Sequence, residues 1–188
     1  MLRPGDNEWT DCRRSGFDPP ERLAKWRQLF CGDAALSGFQ RQPGEYCEHV
    51  RWEAGGMLFV GLNVPGSNNN LADEFEHEDR MHNVFAWLDE AQTLARGRAG
   101  LVVLMQANPF QRPRSGDDGY AALRERLQRL AEAFPGKVLL VHGDTHTHRD
   151  DEPLPGLRRV EVFGSPHVRW LRASVTRGGF HIESAGSR

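Results

Sequence analysis

Three short apolar runs, Met57–Val64, Leu101–Met105 and Val138–Val141, constrain this chain more than anything else in it. Each is nearly continuous rather than alternating, which is how a strand covered on both faces reads. Helical spacing separates them. Val84, Trp87, Leu88, Ala91 and Leu94 predict a helix over 78–96, and Leu123, Leu127, Leu130 and Phe134 predict another over 118–134, stopped by Pro135-Gly136. Upstream, Asp18-Pro19-Pro20-Glu21 combines a capping carboxylate, first-turn prolines and an acidic third position. With Leu23, Trp26, Leu29 and Phe30 it predicts a helix over 18–31. Residues 32–56 are mixed, and 142–156 reads as a polar loop. Shorter alternating runs near 158–164, 168–175 and 179–183 have the pattern of antiparallel strands. Two strand–helix–strand units followed by short strands imply an α/β layered fold, and 188 residues suit a single domain spanning 1–188.

Charge and composition narrow the classes of function. Apolar residues are 38% and charged residues 27%, with a net charge of −2. A protein held mainly by phosphate-backbone electrostatics usually carries a clear basic excess, so nucleic acid is not an expected partner. No apolar run approaches the ~20 residues a membrane-spanning helix needs, and the first residues lack a signal-peptide core. The chain as given therefore reads as cytoplasmic. Cys12, Cys31 and Cys47 form no Cys-x-x-Cys pair, which disfavours a thiolate zinc site. One disulfide is open to an exported protein; reduced thiols are the expectation.

Ligands in open α/β sheets bind outside the carboxyl ends of the strands. The first apolar run ends in Asn63 and the Asn68–Asn70 stretch, the second in Gln106 and Asn108, the third in His142, Asp144, His146 and His148. Carboxylate, imidazole and amide oxygen suit a mixed oxygen/nitrogen site for Mn, Fe or Zn. Plainer readings stand beside these. Asn68–Asn70 is also an ordinary turn, Gln106 can cap its own strand, and one or two of the three histidines can simply face solvent. Gly5-Asp6-Asn7-Glu8-Trp9 is a further polar cluster.

Taken in order, these segments resemble the calcineurin-like metallophosphoesterases. Pro4-Gly5-Asp6-Asn7-Glu8 is similar to that family's Gly-Asn-His-Asp/Glu block, with Asp6 at the Asn ligand position and Asn7 at the His position. An apolar strand and a helix bearing Trp87-Leu88 follow. Gln106-Ala107-Asn108-Pro109 resembles the block that ends in a His ligand and Pro, with Gln106 in place of His. Gly143-Asp144-Thr145-His146 resembles Gly-His-x-His, with Asp144 replacing the first His. The string at 4–12 resembles a divergent bacterial branch carrying these same replacements.

The resemblance implies a layered sandwich of mixed sheets flanked by helices, hydrolysing a phosphate mono- or diester with divalent Mn, Fe or Zn. It assigns Asp6, Gln106 and Asp144 to one ion, His146 to a second, and Asn7 and His146 to catalysis. The partner it implies is a phosphorylated small molecule or ester. Only four residues precede Gly5-Asp6, so the family's Asp-x-His and Gly-Asp-x-x-Asp blocks are not in this sequence, and the expected domain is N-terminally truncated. His142, His148 or a partner chain would then have to complete the site. A catalytically inactive relative acting as a binding module is the alternative. A longer reading frame would make a signal peptide, and a periplasmic or secreted protein, admissible. A sheet edge left open would favour a homodimer.

Overall fold

A computed structural model of the chain describes residues 4–32, 38–113, 115–167, 169–176 and 179–186. Its centre is a seven-stranded mixed sheet: β1 Gln40–Arg41, β2 Val50–Ala54, β3 Met57–Gly61, β4 Gly100–Leu104, β5 Val138–His142, β6 Arg149–Leu154 and β7 Leu157–Glu161. Their order across the sheet is β1-β2-β3-β4-β5-β7-β6. A separate hairpin pairs β8 Arg169–Thr176 with β9 Gly179–Gly186. The protein is thus a mixed α/β molecule.

The apolar runs became the parallel centre. β3, β4, β5 and β7 are parallel neighbours, and such strands need cover on both faces. On one face, Leu58, Val60, Leu101, Val103, Val138 and Leu140 pack with Val84, Trp87, Leu88, Leu123, Leu127 and Leu130 from two helices, Glu74–Leu94 and Ala121–Ala133. On the other, Met57, Val102, Leu139 and Val160 meet Leu171, Phe180 and Ile182 of the β8–β9 hairpin. That second cover is thinner, and an apolar cavity of about 380 Å³ lies between sheet and hairpin.

The helices follow their caps. Asp18 accepts from the Glu21 N–H at 3.0 Å and opens the helix Pro19–Phe30. Asp73 accepts from the Glu76 N–H at 3.2 Å, so the long helix starts at Glu74, before the apolar stripe that predicts a start near 78. Two further departures are corrections. The segment 142–156 is not all loop, because it carries the edge strand β6. The run at 158–164 is not simply antiparallel: β7 is parallel to β5 and antiparallel to β6. Within 32–56, β2 pairs antiparallel with β3. Residue 168, first of the run expected at 168–175, lies outside the described residues.

The open edges are poor templates for further pairing. β1 is two residues long. β6 carries Asp150, Asp151, Glu152 and Pro153, with a register shift between Asp151 and Leu154; charge, proline and irregularity are what natural edges use against association. Cys31 and Cys47 are joined in a disulfide, which overturns the expectation of reduced thiols, while Cys12 is free. Among the described residues no helix is long and apolar enough to cross a membrane.

The two covers of the sheet should differ in weight. Leu140→Ala, at a fully buried position against the helices, is expected to destabilise the fold by about 3 kcal/mol. Leu171→Ala, on the partly buried hairpin, is expected to cost about 1 kcal/mol. Urea unfolding of both variants measures the difference, and equal losses would refute the one-sided core.

Candidate functional site

Backbone bonds gather the loops at the carboxyl ends of β3, β4 and β5. The Ala107 N–H donates to Val64 O at 3.0 Å, and the Gly143 N–H to Gln106 O at 3.0 Å. Gln106 then ties side chain to backbone. Its Oε1 accepts from the Gly66 N–H at 2.5 Å, and its Nε2 donates to Asp144 Oδ1 at 3.3 Å. The other oxygen, Asp144 Oδ2, accepts from the Asn108 N–H at 3.2 Å.

Asp6 arrives from the N-terminal segment. Trp9, fully buried and lying under the Arg80 guanidinium at 5.6 Å, anchors the N-terminal segment. Asp6 opens a short turn, Asp6–Glu8, and its Oδ1 accepts from the Asn7 N–H at 2.8 Å. Gly5 is pressed against the site: a Cβ there would stand 3.0 Å from Glu8 Oε2 and 3.1 Å from Gln106 Cγ. Gly66 is tighter still. A Cβ on it would collide with Asp6 Oδ2 and stand 2.8 Å from Asp144 Oδ1. The two carboxylates therefore converge over a glycine, facing each other across the space one methyl group would fill.

Burial pushes the Asp144 carboxyl above the ordinary carboxylate range, and the Asp6 and Glu161 charges add to the rise, while the Asn108 and Gln106 donors oppose it. Beside the pair opens a cleft of about 420 Å³ whose walls include Asp11, Arg14, Ser67, Asn68, Arg112 and Tyr120. It mixes carboxylates with guanidinium groups, and the Tyr120 hydroxyl is spent on Pro65 O at 2.9 Å.

The structure brings Asp6, Gln106 and Asp144 together, with Asn68 in the cleft wall and the Asn108 N–H on Asp144, while Asn7 and the three histidines have other surroundings. Asn7 is exposed and reaches Asp6 through its backbone N–H. His146 is exposed, with φ 58, its Nδ1 paired with Ser165 O at 3.0 Å and its ring packed on Gly164, where a Cβ would collide with it. His148 stacks on Phe163 at 4.3 Å and bonds Glu161 O. His142 is buried, its Nδ1–H donating to Gly143 O at 2.8 Å and its Nε2 without a partner; burial lowers its pKa.

The sequence reading missed Glu161, which is fully buried. It accepts from the Thr145 N–H at 3.1 Å, the Thr145 hydroxyl, Asn108 Nδ2 at 3.3 Å and Arg149 at 3.3 Å. It thereby pins both segments that hold Asp144. It also missed Arg14 and Ser67. A lone acid on a charged strand, or a Ser after Pro-Gly, carries no distinguishing spacing.

The donor set fits one cation position. Two carboxylates facing each other over Gly66 offer oxygen donors of the kind that hard divalent ions take. A second, imidazole-bearing position is not assembled by these residues. Among the described residues, Cys31, Cys47 and Glu48 are the only group of three His, Cys, Asp or Glu donors within 4.8 Å of one another, and the two sulfurs are bonded to each other. No protein-family model matches the chain, and no curated protein sequence matches it.

Because the folded Asp144 carboxyl titrates above its unfolded value, the stability it contributes is full below the unfolded pKa and is lost as pH rises through the folded one. Asp6→Asn removes a like charge facing it. In chelator at pH 7 this variant is expected to gain about 1 kcal/mol after solvent screening, the gain shrinking toward pH 4. Thermal melts across that range measure it. A loss of stability at pH 7 would show that the two carboxylates do not oppose each other.

Proposed function

We propose that the cleft beside Asp6 and Asp144 is a divalent-cation site of a metallophosphoesterase-like protein acting on a phosphate ester. One observation carries the reading: two acids far apart in the sequence converge over Gly66, where any side chain would separate them. Asp6 and Asp144 would hold the ion. Gln106, whose amide is committed to Gly66 and Asp144, is better read as the brace that sets Asp144 than as a free ligand. Arg14 and Arg112 in the cleft walls supply positive charge for an anionic substrate. A divalent ion in this position contributes Lewis-acid polarisation of a phosphoryl oxygen. With His146 turned to Ser165, the donors are oxygens, which favours Mg or Mn over Zn. The Cys31–Cys47 disulfide favours a compartment outside the reducing cytosol.

A second reading, a binding module without turnover, draws on that same outward His146, since only one of two ion positions has its side chains gathered. Calorimetry and an aryl phosphate assay separate the two. The enzyme reading expects magnesium or manganese to bind, and both binding and hydrolysis to fall at least ~100-fold in Asp144→Ala. Metal binding without hydrolysis in well-folded protein leaves the binding module. No metal binding at all sinks the cation site.

A further inference from the structure

After β3 the chain makes a turn of the wrong hand for L-residues. Ser67, Asn68, Asn69 and Asn70 have φ of 52, 52, 57 and 55. A non-glycine residue in that region is strained, Ser more than Asn, and such strain persists only where the surroundings over-determine it. Three of the four residues hold the turn themselves. Asn68 accepts from the Gly119 N–H at 3.0 Å and donates to Asp117 O at 3.0 Å. Asn69 donates to Gly119 O at 2.8 Å and accepts from Arg80 at 2.7 Å. Asn70 donates to Glu76 at 2.8 Å.

Ser67 shares the strain without bracing the turn. Its exposed side chain lines the cleft, where its hydroxyl donates to Asp11 Oδ1 and accepts from Arg14 Nη2 at 3.4 Å. Asp11 in turn pairs with Arg14 Nη1 at 2.9 Å. Arg14 keeps 74% of its side-chain surface exposed while Asp11 keeps 16%, so the acid fixes a guanidinium that stays open to the cleft. Ser67 also follows Gly66, the residue over which Asp6 and Asp144 converge.

Resting on the cation-site reading above, the geometry points to Ser67 and Arg14 as the arm of the cleft that receives the phosphoryl group of the substrate. A planar fork and a hydroxyl are the donors a tetrahedral oxyanion accepts from. The hydroxyl has one proton, which turns from Asp11 to the anion as it docks. The left-handed turn sets this donor one residue from Gly66, over which Asp6 and Asp144 converge, so a phosphoryl group held by Ser67 and Arg14 would lie beside an ion held by those two acids.

The test is titration of inorganic phosphate into the full chain, with and without magnesium, for wild type, Ser67→Gly and Arg14→Gln. Glycine adopts the left-handed region freely, so Ser67→Gly should melt at or above the wild-type temperature while phosphate affinity falls roughly tenfold. Arg14→Gln should lose at least as much, and both should bind magnesium as wild type does. Unchanged phosphate affinity in both variants, or no phosphate binding by wild type, overturns the proposal. A failure to bind magnesium overturns the cation site instead, and the phosphate comparison without metal still decides the role of Ser67 and Arg14.

Discussion

Parallel pairing of β3, β4 and β5 governs this molecule. Strands that run the same way end on the same edge, so three loops distant in sequence emerge side by side. The Ala107–Val64 and Gly143–Gln106 backbone bonds extend that pairing past the strands themselves. Gln106, Asn108, Gly66 and Asp144 are therefore positioned by the sheet rather than by loop conformation. The same pairing demands cover on both faces. The helices meet that demand on one side with large side chains, and the hairpin meets it incompletely on the other, leaving the apolar cavity beneath Leu171 and Phe180.

Below the cleft the polar groups are arranged to hold Asp144 from underneath. Glu161 is buried, yet its oxygens are filled by Thr145, Asn108 and Arg149, which is the condition for a charge to be tolerated there. Arg159 pairs with Asp151 and covers Phe110 at 5.1 Å. Burial is the main reason the proton affinity of Asp144 rises, and the Asp6 and Glu161 charges add to it.

How much of this was legible in the sequence follows from where the signals come from. The parallel strands and the helices declared themselves because continuous apolar runs and capped amphipathic stripes are local patterns. β6 did not. Its Arg-Asp-Asp-Glu run is written by the solvent at an edge, with Asp150 paired to Arg158 and Asp151 to Arg159 across the hairpin. β2 was hidden because it too borders the sheet's outer half and alternates only weakly. At the site, Asp6, Gln106 and Asp144 were legible only as an ordered set of blocks. Their convergence depends on Gly66, whose role is to be absent of side chain, and nothing in the residues around it announces that. His146 shows the limit from the other direction. Its spacing suits a ligand, but a left-handed backbone and a vacant Gly164 surface turn it toward Ser165.

The unfavourable features of the fold are gathered at one place. Like charges face each other over Gly66, a buried acid lies behind them, and the chain beside them is wound left-handed through four residues. The turn is held by the Asn68–Asn70 amides, and Asp144 by the Gln106 amide and the Asn108 backbone. A structural turn needs none of this, since a glycine or a conventional type I turn after β3 would serve. Strain concentrated beside like charges in a cleft is an arrangement that clusters at functional sites. That coincidence, more than any single residue, ties the geometry of the β3 turn to the chemistry of the carboxylates beside it.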